Sequence, residues 1–425
     1  MKNFKDSGIE WLGEIPEHWE VVKINKIVTF VNGYAFENFD FNPTFEIPVI
    51  RIGDIQKEKI LYDNCLKTKE KEKLKQFLIS NNDILIALSG ATTGKIAFCD
   101  TDNKAYINQR VAIVRSKLKL VKYYFLTRGF SLLIELACNG SAQPNISTKE
   151  IGEFKIPLPP LKEQEQITNF LDKKCEQIKN FIEKKEKLIS LLKEQKQALI
   201  NETITKGLDK NVNFKDSGIE YLGEIPQHWK VVRLGLILKT SSGTTPDSGN
   251  DKYYKGGQIV WINSGDLNNG FLKDSKRKIT QDALDDYSVL KIFDKDSLII
   301  AMYGATIGKT AILKVNACVN QACCVLEKSA WYNTFYLFYL FNRYKKELIS
   351  MGSGGGQPNI SQDIIKNLKI PLPPLKEQEQ IANFLDEKCK KIDLLIEKTE
   401  KQIKLIKEYK TALINQAICG RIRKN

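Results

Sequence analysis

The sequence contains few of the residues that usually perform catalysis or bind metals. Only two histidines, His18 and His228, occur in 425 residues, and the nine cysteines include no C-x-x-C pair. The histidines occupy the same position in two repeated segments, and neither has a cysteine or histidine at metal-ligand spacing. We therefore expect a shared scaffold role for them, no metal site, no disulfide framework and no catalytic residue in this chain.

Long apolar runs are also missing. The sequence has no stretch of the roughly 18 apolar residues that a transmembrane helix needs. The segment from Met1 to Ile15 is polar and lacks the apolar core of a secretory signal. Together with the scattered cysteines, which are typical of reduced thiols, this predicts a cytoplasmic protein.

Arginine is scarce although the chain is basic. The formal net charge is +14, yet only 9 of the 65 basic residues are arginine. A positive charge of this size permits a nucleic-acid partner. Because the excess is lysine spread along the chain, the charge alone does not identify that partner.

Motifs of known enzyme classes are absent as well. There is no Asp/Asn-Pro-Pro-Tyr motif, no glycine-rich S-adenosylmethionine loop, no G-x-S-x-G and no H-E-x-x-H. The segments from Gly90 to Lys95 and from Gly304 to Lys309 have three residues between their glycines, where a Walker A loop has four. They predict tight turns between strands. Such a turn is either purely structural or places backbone N–H groups and a lysine against a nucleic-acid phosphate.

The most informative feature that is present is an internal repeat. Asn3–Ile24 recurs almost unchanged at Asn213–Leu234, and Ile156–Cys175 recurs at Ile370–Cys389, with offsets of 210 and 214 residues. Between these segments the two halves differ almost everywhere. The chain therefore contains two copies of one scaffold, each with a different variable part, as a reader of two different targets would need.

Each repeat predicts an α+β lobe of mixed helices and strands followed by a long helix. The boundaries predicted for the domains are 1–157 and 213–371 for the lobes, and 158–212 and 372–425 for the helical segments. In the first lobe we expect strands at Ile47–Ile52, Asp83–Leu88 and Asn108–Arg115 and helices at Leu66–Phe77 and Val121–Cys138. The second lobe repeats this plan with Gln258–Ile262, Ser297–Met302, Asn320–Leu326 and a helix at Thr334–Met351.

The long helices are predicted at Leu161–Lys206 and Leu375–Cys419, which contain neither glycine nor proline. Apolar residues recur every three to four positions and predict two stripes that pack as an antiparallel coiled coil related by a pseudo-twofold axis. At about 1.5 Å per residue each helix is roughly 65–70 Å long, about two turns of B-DNA. The residues predicted in the coiled coil are Ile167, Phe170, Leu171, Ile178, Ile182, Leu192, Ile381, Phe384, Leu385, Ile392, Leu395 and Ile403.

Polar residues in the turns and variable loops are the candidates for nucleic-acid contact, because amide and guanidinium groups can read base edges. Arg110, which Ala322 replaces in the second copy, is the better candidate for specificity, whereas the shared Asn108 and Asn320 fit a role in the fold. For the glutamines of the repeated Gln-Pro-Asn strings, a turn role is favoured over base contact. The predicted DNA-binding residues are Thr92, Thr93, Lys95, Gln109, Arg110, Gln143, Thr244, Thr245, Thr306, Lys309, Gln321 and Gln357.

The repeated segments resemble those of the specificity subunits of type I restriction-modification systems. The resemblance lies in the lobe opening, Gly8 to Trp19, and in the Pro-Leu-Pro-Pro-Leu junction that leads into the helix, Ile156 to Ile167. Both recur in the second half, at Gly218–Trp229 and Ile370–Ile381. The resemblance covers essentially the whole chain.

This resemblance implies a non-catalytic chain in which each lobe is a target recognition domain for one half of a bipartite, asymmetric site in double-stranded DNA. The helices would set the gap and dock two modification subunits, which hold S-adenosylmethionine and methylate adenine. Restriction subunits that use ATP and Mg²⁺ would join the full complex.

Three alternatives stay open at this stage. The chain could serve a related system with a fused methyltransferase-nuclease, or act as a coiled-coil adaptor that binds proteins through its lobes. A nucleotide hydrolase built on the two Gly-Lys turns is the third alternative; it would require an activity that Lys95→Ala and Lys309→Ala abolish, and we expect none.

Overall fold

The computed structural model describes residues 3–9, 11–56, 58–99, 103–138, 144–352 and 359–421. The chain divides into two compact units. The first comprises residues 1–185 and 401–425, and the second comprises residues 186–400. Each unit therefore contains one lobe, the beginning of the long helix that follows it and the end of the other long helix.

The first unit contains a small α+β lobe. Its strands are β1 Phe4–Asp6, β2 Glu14–Pro16, β3 Glu20–Lys23, β4 Thr29–Asn32, β5 Ile47–Ile50, β6 Ile55–Gln56, β7 Lys59–Ile60, β8 Leu66–Thr68, β9 Ile84–Ala87, β10 Ile96–Phe98, β11 Tyr106–Ile107, β12 Val111–Arg115 and β13 Lys155–Leu158. Its helices are α1 Val121–Phe125, α2 Arg128–Ala137, α3 Thr148–Glu153 and the long α4 Leu161–Lys206.

Two sheets form the centre of the first lobe. One has the strand order β10-β9-β12-β4 and the other β11-β5-β8. Strands β9 and β12 are antiparallel, with Ile86 opposite Ala112, and every residue of the two strands except Arg115 is buried. The alternate faces of these strands contribute to two separate hydrophobic clusters, so helices and loops cover both sides of the sheet.

The second unit repeats this plan with a larger sheet. Its strands are β14 Phe214–Asp216, β15 Glu224–Pro226, β16 Lys230–Arg233, β17 Thr240–Ser241, β18 Ile259–Ile262, β19 Gly270–Leu272, β20 Lys278–Ile279, β21 Leu298–Ala301, β22 Thr310–Leu313, β23 Cys318–Val319, β24 Cys323–Leu326 and β25 Lys369–Leu372. Its helices are α5 Gln281–Asp286, α6 Thr334–Arg343, α7 Lys345–Ser350, α8 Gln362–Asn367 and the long α9 Leu375–Ile418. The sheets have the orders β17-β24-β21-β22-β19 and β20-β18-β23.

The predicted long helices are confirmed almost to the residue, because strong local signals mark their ends. Prolines precede both helices, and the buried Gln164 donates from Nε2 to the carbonyl oxygen of Pro159 at 2.7 Å, which ties the first turn of α4 to the segment before it. Gly207 and Gly420 follow the last turns with φ of +74° and +69°, a left-handed conformation that glycine adopts without strain.

The two long helices pack antiparallel. In the first unit, Leu171 near the start of α4 shares a hydrophobic cluster with Leu413 and Ile418 near the end of α9. In the second unit, Ile204 near the end of α4 shares a cluster with Leu385 near the start of α9. The start of each helix therefore lies beside the end of the other.

Most of the residues predicted in the coiled coil lie on the packed faces of these helices. Leu171, Ile178, Ile381, Leu385, Ile392 and Ile403 are buried, and Ile167, Phe170, Ile182, Leu192 and Phe384 are partly buried. Leu395 was predicted wrongly, since half of its surface is exposed. The stripe passes through Ile392, Ile396, Thr399 and Ile403 instead, and the buried Thr399 satisfies its hydroxyl on the carbonyl oxygen of Leu395 at 2.7 Å.

Three other sequence-based predictions for the lobes were wrong. The charged segment 66–77 is not an α-helix: it is the strand β8, paired with β5, followed by a 3₁₀ helix at Glu72–Phe77. The predicted helix at 121–138 is divided into α1 and α2 because the hydroxyl oxygen of Thr127 accepts a hydrogen bond from the Phe130 N–H and starts a new helix. The helix predicted at 334–351 is likewise divided, at Tyr344.

One contact fixes each lobe to the start of its long helix. Trp19 donates from Nε1 to Glu163 at 3.3 Å, and His18 lies 2.6 Å from the same carboxylate. In the second unit Trp229 donates to Glu377 at 3.0 Å, and His228 lies 2.9 Å from it. The two histidines thus share the scaffold role that the repeat predicts.

Removing this carboxylate should weaken the joint between the second lobe and α9. Trp229 is fully buried, so Glu377→Ala leaves its N–H without an acceptor. We expect a loss of about 1–3 kcal/mol in the free energy of unfolding of that unit, measured by urea denaturation. Glu377→Gln keeps an acceptor oxygen and should recover most of the loss.

Glu379→Ala provides the matched control, because Glu379 is exposed on the same helical turn. Equal unfolding midpoints for Glu377→Ala and Glu379→Ala would contradict a stabilising role for the Trp229 contact.

Candidate nucleic-acid interface

Loops from separate parts of the first lobe meet at one end of its sheets. The N–H of Asn108 donates to the carbonyl oxygen of Ile50 at 2.9 Å, and Tyr34 forms a parallel β-bridge with Asn108. The N–H of Gly90 donates to the carbonyl oxygen of Pro144 at 2.8 Å. These backbone bonds hold the loops after β4, β5, β9, β11 and α2 in one surface.

The second lobe assembles the same surface with equivalent bonds. The N–H of Asn320 donates to Ile262 at 2.9 Å, that of Met302 to Ala322 at 2.8 Å, and that of Ile360 to Met302 at 2.9 Å. Since backbone groups make these bonds, the side chains around them are free to differ between lobes.

The two Gly-Lys turns join strands, as their spacing predicts. In the first lobe a single 3₁₀ turn, Gly90–Thr92, connects the antiparallel strands β9 and β10, and no helix follows it. Gly90 and Gly94 have φ of +74° and +79°, which explains both glycines. A Walker A loop is followed by a helix whose N-terminus binds the phosphate, whereas a strand follows this turn.

The threonines of these turns donate inward. Thr92 donates to the carbonyl oxygen of Ser89 at 3.3 Å, and Thr93 donates to those of Gly90 at 2.7 Å and Pro144 at 3.0 Å. Thr306 makes the bond equivalent to that of Thr92, to Tyr303 at 3.3 Å. These hydroxyls stabilise the turns, and their predicted contact with DNA remains a prediction.

Lysines supply positive charge beside the turns. Lys95 is exposed and Lys309 is partly buried. In the second lobe Lys345 lies close to the turn, and burial together with the charge of Lys309 lowers the pKa of its ammonium group. Two cations held this close produce a positive potential that an anionic ligand would relieve.

The turns at Asn108-Gln109 and Asn320-Gln321, here called the Asn-Gln turns, use their side chains for different purposes. Asn320 accepts from the N–H of Ala322 at 3.1 Å and donates to Asn263 at 3.4 Å, so this shared asparagine serves the fold. Gln109 is exposed in the first lobe. In the second, Gln321 accepts from the hydroxyl of Thr245 at 2.7 Å.

The remaining predicted residues are distributed as follows. Thr244 lies beside this surface and its carbonyl oxygen accepts from Nε1 of Trp261 at 3.2 Å. Arg110 is exposed and donates to the hydroxyl of Ser89 at 3.0 Å. Gln143 and Gln357 lie outside the described residues.

Sequence reasoning missed Ser89 and Tyr303, which occupy equivalent positions immediately before the Gly-Lys turns. Ser89 is buried, whereas two fifths of Tyr303 is exposed. The signal that could have found them is their difference within an otherwise shared Gly-Ala-Thr turn.

Among the described residues, no group of three or more His, Cys, Asp or Glu side chains could hold a metal ion, and none of the helices combines the length and the hydropathy of a membrane span. The nine cysteines, all of them described, form no disulfide, and burial raises the pKa of thiols such as those of Cys318 and Cys324, to about 11 and about 12.

The two lobes follow one plan, and each presents different side chains on its own copy of the loop surface. Together with the antiparallel long helices, this defines an internally duplicated recognition protein. A family model described as the type I restriction modification DNA specificity domain matches residues 16–193 and 226–405. The chain belongs to this family and carries two tandem copies of its domain, which confirms the resemblance seen in the sequence.

Individual relatives match over nearly the full chain. A putative type I restriction enzyme MjaX specificity subunit of Methanocaldococcus jannaschii is 29% identical over 438 residues, covering 99% of this chain and 97% of the relative. The MjaVIII specificity subunit of the same organism is 27% identical over 433 residues, covering 96% and 94%.

Solved structures share the fold. A chain from a study of complex assembly and conformational transition of the type I R-M system superposes with a TM-score of 0.73 at 18% identity, covering 96% of this chain and 99% of that chain. The HsdS subunit from Thermoanaerobacter tengcongensis superposes with a TM-score of 0.53 at 18% identity, covering 96% and 98%.

The two glycines of the first Gly-Lys turn should differ in their tolerance of a side chain. A Cβ at Gly94 would lie 2.6 Å from Cγ2 of Ile134, whereas at Gly90 the nearest atom is 3.6 Å away. Both substitutions place alanine in the left-handed region at a cost of roughly 1–2 kcal/mol. We expect Gly94→Ala to lower the thermal midpoint clearly more than Gly90→Ala, measured by differential scanning fluorimetry. Equal shifts of the thermal midpoint would show that Ile134 moves away from the new methyl group without loss of stability.

Proposed function

We propose that each lobe reads one half of a bipartite, asymmetric site in double-stranded DNA. The observation that carries this proposal is the loop surface, where equivalent backbone bonds hold different side chains in the two lobes. One frame with two sets of side chains suits two different half-sites. The lysines beside the Gly-Lys turns suit contacts with phosphate, which position a protein on DNA without reading its sequence.

The chemistry of the complex is assigned to partner subunits. His18 and His228 both contact a helix carboxylate, and the thiols with strongly raised pKa lie in the cores, so these groups are committed to the scaffold. We propose that two modification subunits hold S-adenosylmethionine and methylate adenine in the cytoplasm. Restriction subunits with ATP and Mg²⁺ would complete a cleaving complex.

The long helices offer a surface for these partners. Several large apolar side chains on them are exposed, which is costly in water and favours association. They include Leu188 and Leu191 on α4 and Leu394, Leu395, Leu405 and Tyr409 on α9. We propose that the helices both dock the modification subunits and fix the number of unread base pairs between the half-sites.

A methylation map tests the function directly. The chain is co-expressed with its modification subunit in a host without adenine methylation, and N6-methyladenine is mapped by single-molecule sequencing. We expect a split, asymmetric motif that disappears when this chain is omitted. An unmethylated genome, although the modification subunit is folded and bound to the chain, would favour a protein adaptor.

Lengthening one helix should change the gap alone. Duplicating Leu192–Gln195 adds about one turn, roughly 6 Å, to α4, and because B-DNA rises about 3.4 Å per base pair we expect the unread gap to lengthen by one or two base pairs. Both half-sites should remain the same in the methylation map.

The control duplicates residues 209–212, which lie in the loop between α4 and β14. This change leaves the helix length intact and should leave the motif unchanged. A changed half-site with an unchanged gap in the α4 variant would contradict a spacer role.

A further inference from the structure

The two lobes differ at one matched pair of positions on the loop surface. Leu88 donates its N–H to the carbonyl oxygen of Arg110 at 2.9 Å, and Met302 makes the equivalent bond to Ala322 at 2.8 Å. Because both lobes make this bond, Arg110 and Ala322 occupy equivalent positions, each in its own lobe. The residues after the donors, Ser89 and Tyr303, are aligned by the same bond.

In the first lobe, Ser89 holds the guanidinium group of Arg110 in place. Ser89 is only 3% exposed, and its hydroxyl oxygen accepts from Nη1 of Arg110 at 3.0 Å. Arg110 itself is exposed at the tip of the β11–β12 turn. Within the described ranges, Nη1 is the Arg110 donor that bonds a protein group, so the Nε and Nη2 donors can serve a second partner.

Arg110 also differs from the other arginines of its lobe. Arg51, Arg115 and Arg128 each pair with a carboxylate, those of Asp54, Asp83 and Glu135 respectively. Among the described residues, no carboxylate forms an ion pair with Arg110. Its charge is therefore balanced by no protein group in that part of the chain, and a buried serine fixes its position.

The second lobe has no guanidinium at the matched place. Ala322 replaces Arg110, and Tyr303, two fifths exposed, replaces the buried Ser89. The pair Ser89–Arg110 is thus exchanged as a unit for the pair Tyr303–Ala322, while the backbone around it is kept.

We propose that Arg110, positioned by Ser89, reads a guanine in the half-site of the first lobe. A guanidinium with two free donors can bond both O6 and N7 of guanine in the major groove, the commonest base-specific contact of arginine. The second lobe lacks a guanine reader at the matched position. This inference rests on the proposed function and adds the base that one residue selects.

The test compares methylation maps of the native chain, Arg110→Ala and Arg110→Gln, each co-expressed with the modification subunit. In Arg110→Ala we expect one G·C position of the first half-site to lose its selectivity by about five- to 150-fold. The other positions, the gap and the second half-site should stay the same. In Arg110→Gln the same position should shift toward adenine, which glutamine can bond at N6 and N7.

Ser89→Ala tests the positioning role. It keeps the charge of Arg110 and should partly relax the same position, with no change elsewhere in the motif. Arg128→Ala is the matched control, since it removes an equal charge from an arginine of the same lobe that is paired with Glu135. We expect its motif to equal that of the native chain.

Two outcomes would overturn the inference. An unchanged motif in both Arg110 variants would show that the residue reads no base. A uniform loss of methylation at all sites would assign Arg110 to phosphate, because a phosphate contact weakens binding regardless of sequence. The absence of any split motif with the native chain would instead contradict the proposed function, so the two failures are distinguishable.

Discussion

The bond between a buried indole and a helix carboxylate is the constraint on which the rest of each unit depends. Trp229 is fully buried in the second lobe, and Glu377 stands in the first turn of α9. A buried N–H must have an acceptor, and a carboxylate near a helix N-terminus is additionally favoured by the helix dipole. The same bond between Trp19 and Glu163 recurs in the first unit. It fixes the direction in which a long helix leaves its lobe.

The end of the other long helix is fitted against the same tryptophan. A Cβ at Gly207 would lie 3.1 Å from Cζ2 of Trp229, and one at Gly420 would lie 3.1 Å from Cη2 of Trp19. The glycine is needed both for its positive φ and for this close approach. Each lobe therefore specifies where one helix starts and where the other ends, which requires the helices to be antiparallel.

How much could be predicted from the sequence depends on whether the signal is local. The bounds of α4 and α9 followed from prolines before them, glycines after them and an uninterrupted amphipathic pattern between. Segment 66–77 was misread because its charged residues suit a helix, whereas the pairing of β8 with β5 is a long-range contact that propensity does not show. Leu395 was misplaced because a stripe that drifts around a long helix cannot be followed by spacing alone.

The candidate site shows the same division. The Gly-Lys and Asn-Gln turns were visible as shared landmarks within variable sequence, and Arg110 stood out because Ala322 replaces it. The role of Ser89 was not visible, since it depends on the fold bringing the β9–β10 turn against the β11–β12 turn, 21 positions apart in the chain. A contact of that kind has no periodicity and leaves no pattern in a single sequence.

This arrangement separates stability from recognition. Backbone groups hold the loop surface together in both lobes, through the bonds of Leu88 to Arg110 and of Met302 to Ala322. A backbone carbonyl accepts equally well whether its residue is arginine or alanine, so exchanging the side chain leaves the bond intact. The turn tips can consequently change their chemistry at little cost to folding, whereas the tryptophan joint beneath them cannot. A chain that presents two different sets of side chains on one repeated frame needs this division.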